Sequence, residues 1–196
     1  MSQRDRVRAS VEHRRTRMAR LVYGVELGHS PLPVTMCCFD DHATGNPFLG
    51  QIMLTAKAHR GGGDGYHAVA AMGTAAAAYR ATRVLIGWDE QRLREDTGGV
   101  RAAPTDGLAI VEAVRHDTGH VLDWRPYHVS PDPVTLWWLP GAQHLRDAAL
   151  PGPIGELLHR WRNTDVDDPA DTLVQFDLEG YGFTAPDPSP TIPTWR

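Results

Sequence analysis

The stretch from His59 to Glu90 decides the fold: His59-Arg60-Gly61-Gly62-Gly63-Asp64-Gly65, an alanine-rich run through Ala78, then Val84-Leu85-Ile86-Gly87-Trp88-Asp89-Glu90. It predicts a loop, a helix and a buried strand, in that order. Asp64 suits a helix start, because a short carboxylate accepts from the free N–H groups of a first turn. Behind it Tyr66, Val69, Met72 or Gly73, Ala76 and Tyr79 recur at helical spacing as a narrow apolar face. Ala75 to Ala78 lose almost no side-chain entropy on ordering, and with Gly73 they admit a close neighbour, expected to be a sheet. Val84 to Trp88 is apolar without alternation, which predicts a central strand covered on both faces.

Towards the N-terminus, Ser2 is positioned to cap a helix reaching about Arg20, with Val7, Val11, Met18, Leu21 and Val22 as a thin apolar stripe. Seven arginines against Asp5 and Glu12 give the first twenty residues a formal charge of +5, in a chain that totals −4. Such a face either touches nucleic acid or pairs with the protein's own acidic surface. The second is expected, since binding a polyanion would oppose the −9 carried by the remainder. Residues 21–25 and 33–39 read as strands, the second more strongly. Phe48 to Ala58 is read as a strand closing a hairpin with 33–40, although Asn46-Pro47 also resembles a helix start.

Beyond Glu90, Gln91 to Thr105 predicts a loop or a single helical turn. Leu108 to Val129 predicts a hairpin about a three-residue turn, Asp117-Thr118-Gly119, with Gly119 left-handed. That register sets His116 opposite His120, Val114 opposite Leu122 and Glu112 opposite Trp124. Val134 to Leu139, bounded by prolines, suits an edge strand. Leu145 to Arg162 predicts one broken helix or two short ones, with Ile154, Leu157, Leu158 and Trp161 on the apolar face.

A chain of 196 residues with 41% hydrophobic and 22% charged residues fits one soluble domain. The expected boundaries are a basic helix over 1–20, a globular domain over 21–163, and an acidic then proline-rich tail over 164–196. No apolar run approaches the roughly 18–20 residues of a membrane span. No secretory signal is visible, so the expected compartment is the cytoplasm. Cys37 and Cys38 are adjacent and read as buried reduced thiols.

Chemistry has few places to reside. Gly63-Asp64-Gly65-Tyr66-His67-Ala68, with Asp89 at the end of the next strand, satisfies a dinucleotide-binding pattern, Gly61, Gly63 and Gly65 being the loop glycines. Asp64, however, sets a negative charge where phosphate would lie. His59, Asp64, His67, Asp89 and Glu90 are the catalytic candidates; His116 and His120 are the metal candidates, two ligands where zinc needs three or four. No cofactor and no metal is expected. Adjacent tryptophans on one strand face opposite ways, and Trp138, with Trp195 near the terminus, is the expected interface residue.

The expected fold is α+β, a mainly antiparallel sheet of five or six strands with helices packed on it; the alternative is a three-layer α/β arrangement with a parallel pair. The expected function is a small cytoplasmic binding or accessory module acting through protein contacts, as a homodimer or with a protein partner. Nucleic acid is not favoured and no membrane is expected. The alternative is an enzyme with a nucleotide- or metal-dependent site at Gly61–His67 and Asp89/Glu90. A convergence of His59, Asp64, His67 and Asp89 in one pocket would distinguish it.

Overall fold

The computed structural model describes residues 2–23, 32–59, 63–99, 106–131 and 134–184. In chain order the elements are α1 (Gln3–Tyr23), β1 (Thr35–Phe39), β2 (Phe48–Met53), α2 (Gly63–Ala78), β3 (Arg83–Asp89) and α3 (Glu90–Thr97). There follow β4 (Gly107–Val114), β5 (His120–Pro131), β6 (Val134–Trp138), β7 (Gln143–Arg146), α4 (Gly152–Asn163), α5 (Pro169–Leu178) and β8 (Gly182–Thr184). Eight strands form one sheet, ordered β6-β5-β4-β3-β1-β2-β8, with β7 beside β5. Every pairing among them is antiparallel, so the class is α+β and the parallel-pair alternative is not the one adopted. The count exceeds the expected five or six because β7 and β8 are four and three residues long, too short to display alternation.

The strand β3 lies midway along this order, and its side chains alternate between two cores. Val84, Ile86 and Trp88 face α2, α4 and α5, while Leu85 faces α1 with Val7, Val11 and Met18. Gly87 lies under Met18, where an added Cβ would stand 2.8 Å from the sulfur. The basic helix is thus a layer of the fold. Ser2 caps it through its Oγ, which accepts from Asp5 N–H at 3.2 Å. Arg14 is only 7% exposed and lies 3.7 Å above the Phe48 ring, a cation–π contact. Arg15 reaches Glu112 at 2.7 Å and pairs with Asp123, as expected of a face that meets the protein's own acids. The helix runs through Tyr23, so residues 21–23 are helical where a strand was expected.

Helix α2 is buried almost all round and not on one narrow face. The close approach at Gly73 is to α4, not to the sheet: a Cβ there would lie 2.2 Å from the Leu157 carbonyl oxygen. Residues 164–184, expected in the tail, supply α5 and the edge strand β8, which pairs with β2. Phe176 and Tyr181 pack at 4.9 Å between ring centroids, and Tyr181 OH donates to the Ala68 carbonyl at 2.9 Å. The acids Asp165, Asp167, Asp171, Asp177 and Glu179 all face outward, so the charge marks a solvated face and not a solvated segment.

The β4–β5 register differs from the expected one by three residues. Val111 lies opposite Leu122, Glu112 opposite Val121 and Ala113 opposite His120. Arg115 N–H continues toward β3, donating to the Thr82 carbonyl, and the turn is closed by Asp117 N–H to Val114 O and Gly119 N–H to Asp117 Oδ1. Five residues therefore connect the strands, and Gly119 is not left-handed. An odd shift exchanges faces: Glu112 and Trp124 lie on opposite sides of the sheet.

Burial pushes the Cys37 thiol up to about 12, with Arg14 and Arg17 opposing, and raises Cys38 well above the usual range. Burial likewise pushes the Tyr181 phenol up to about 12. In the unfolded chain thiols titrate near about 8.5 and phenols near about 10. The folded state holds protons that the unfolded state releases, so this stability is present below about pH 8.5 and is lost as pH rises toward 12. Unfolding free energies from denaturant titration are expected to fall by up to about 1.4 kcal/mol per pH unit for each thiol above about pH 8.5, and for the phenol above about pH 10. A flat profile would mean that these groups are solvated.

Candidate functional site

Of the sequence candidates, Asp89 ends β3 and Glu90 begins α3. Asp89 is fully buried and extended in backbone, which makes it the N-cap of α3: its Oδ1 accepts from Gln91 N–H at 2.9 Å and Arg92 N–H at 3.2 Å. Tyr127 OH donates to its Oδ2. Burial first, and then that bond to a carboxylate, raise the Tyr127 phenol far above its ordinary value. Because strand residues alternate, Asp89 faces the α1 layer beside Tyr127 while Trp88 faces the helix layer.

Glu90 leaves the sheet at the first position of α3, where Trp88 Nε1–H donates to its Oε2 at 3.4 Å. His59 lies 3.5 Å from Asp96 through Nε2, and both side chains are buried. Asp96 also accepts from Arg92 at 3.0 Å. Asp64 and His67 are exposed. His59, Asp64, His67 and Asp89 are thus not brought into one pocket. Asp96, Tyr127 and Arg94, which donates to Asp106 at 3.0 Å, are the polar residues sequence reading missed. The Arg92/Asp96 spacing of four was their one local signal.

The glycine pattern has a packing explanation. Gly63 opens α2, and Gly65 lets its first turn press onto the end of α3, where an added Cβ would lie 1.6 Å from the Asp96 carbonyl oxygen. Gly61 lies outside the described residues. His120 is mostly buried, with Nε2 2.9 Å from the Ala148 carbonyl oxygen, whereas His116 is exposed. The two are not partners. Among the described residues no group of three or more His, Cys, Asp or Glu is placed to hold a metal ion.

A cleft of about 660 Å³ runs between α1 and the sheet. Its floor is an ion-pair network: Arg83 grips Asp41 at 2.8 and 2.9 Å and Glu112 at 2.5 Å, and Glu112 also takes Arg15. This network holds α1 to the strands. At the sheet edge Trp138 stands opposite Tyr127 and packs edge-on against it at 6.0 Å, facing the α1 core. Among the described residues Trp137 is the exposed tryptophan, at 60%. Of the adjacent pair, Trp138, the expected interface residue, is the one turned inward; Trp195 lies outside the described residues.

No family model, curated protein or solved structure matches this chain. Among the described residues no helix is long and apolar enough to cross a membrane.

Proposed function

We propose that the protein is a binding or accessory module that works as a homodimer, joined through β6. The observation that carries this reading is Trp137, a large apolar side chain 60% exposed on an edge strand. Soluble chains usually protect such edges with charge, and an exposed aromatic on one marks a contact surface. A second copy is the occupant that fits best. An antiparallel edge related to its copy by a two-fold axis is self-complementary, and each existing pairing in the sheet is antiparallel. Beyond β6 the same edge of β5 is taken by β7, which offers Gln143, His144 and Arg146 as a polar rim to that apolar centre.

Light scattering of the full chain at micromolar concentration tests this directly. The wild type is expected to have twice the chain mass, and Trp137→Ala to have the chain mass with an unchanged circular dichroism spectrum. A monomeric wild type, or a variant that stays dimeric, sinks the proposal.

A further inference from the structure

A pocket of about 280 Å³ lies where α2 begins, α3 ends and the chain enters α4. Tyr66, Leu93, Pro151 and Pro153 form its walls, and Glu90 and Arg94, four residues apart on α3, are its charged lining. Arg94 pairs with Asp106 through Nη2 at 3.0 Å, while its buried Nη1 has no hydrogen-bond partner among the described residues. Glu90 has no ion-pair partner within 4 Å among the described residues. It is 4% exposed, and its one hydrogen bond among the described residues is the long one from Trp88. The α3 amides that a carboxylate there could have used donate instead to Asp89. A buried carboxylate with so little compensation is costly unless a positive group meets it.

We propose that this pocket binds a small organic cation, a primary ammonium on a compact apolar body, with Glu90 as its counter-charge. The ammonium supplies three donors to the carboxylate, and the Tyr66 ring can add a cation–π contact. The volume falls just below the range of small-molecule sites, roughly 300–1,000 Å³, so the body is compact. A metal ion fits the lining poorly. Calcium takes six to eight oxygens and magnesium an octahedron, whereas Glu90 is the only carboxylate in the described lining. This inference stands apart from the dimer reading, which concerns β6.

The test is calorimetric titration of the full chain with benzylamine and with benzyl alcohol, nearly the same shape without the charge. Benzylamine is expected to bind at least about tenfold tighter. Glu90→Gln keeps the side-chain shape and should abolish that preference, its melting curve showing whether it folds. The Trp88 indole N–H, bonded to Glu90, gives a second readout that needs no variant: its NMR resonance should move with benzylamine and stay with benzyl alcohol. Equal affinities, no binding of either at millimolar concentration, an amine preference kept in folded Glu90→Gln, or an unmoved Trp88 resonance would each overturn the proposal.

Discussion

Gly65→Ala is expected to destabilise the protein by about 3 kcal/mol, whereas Gly155→Ala should stabilise it by about 0.5–1 kcal/mol. Both glycines lie within helices, α2 and α4, where alanine normally gains because it loses less backbone entropy. The difference is what each new methyl meets. At Gly155 nothing lies within 4 Å. At Gly65 the Cβ would fall 1.6 Å from the Asp96 carbonyl oxygen and 2.6 Å from its carbon. Those are backbone atoms that no rotamer change can remove, so the end of α3 must move bodily. For a domain of this size about 3 kcal/mol corresponds to roughly 6–12 °C in melting temperature. Scanning calorimetry of the two variants checks the contrast, and a Gly65→Ala protein as stable as Gly155→Ala would contradict the packing of α2 on α3.

Asp89→Ala is expected to cost about 2–5 kcal/mol. The cap of α3 contributes about 0.5–2 kcal/mol, and the hydrogen bond from Tyr127 to a charged acceptor about 1.5–3 kcal/mol. The two parts separate in a double-mutant cycle with Tyr127→Phe, since only the second depends on the phenol. Denaturation of all four proteins should give a coupling of about 1.5–3 kcal/mol, while additivity within about 0.5 kcal/mol would place the two side chains out of contact. Tyr127→Phe should also lessen the loss of stability above pH 10, because it removes a phenol that holds its proton in the folded state. These effects would give Asp89 a structural role, leaving Glu90 as the acid facing a pocket.

The candidate site was half legible. Asp89 and Glu90 were visible as an acidic pair at a strand end, but neighbours at a strand–helix junction diverge, one into the α1 core and one toward α2 and α4. Asp89 then spends its oxygens on backbone and Tyr127, a partner 38 residues on. The paired tryptophans were similar. Alternation requires that one turn inward, yet only the pairing of Tyr127 with Trp138 decides which. For Gly65, the same glycine that satisfies a phosphate-loop pattern also satisfies a tight helix contact, and the sequence around it carries no sign of α3 lying there.

What the sequence determined by itself is local and periodic: the helix behind the glycines, the doubly buried strand at Val84 to Trp88, the hairpin of β1 and β2, the edge character of β6 and the apolar face of α4. Each follows from a spacing of two or about 3.6 residues that burial imposes on neighbours in the chain. Tertiary structure decided what is non-local: the register of β4 on β5, the burial of α2 by helices, the use of residues 169–184 as helix and edge strand, and which acid reaches a pocket. A strand slipped along its partner or a helix placed on another layer can bury nearly the same apolar area, so hydrophobic pattern alone barely separates the alternatives. The contacts that do separate them, such as a carbonyl seated on a glycine or a phenol on a carboxylate, join residues about 30 to more than 80 positions apart.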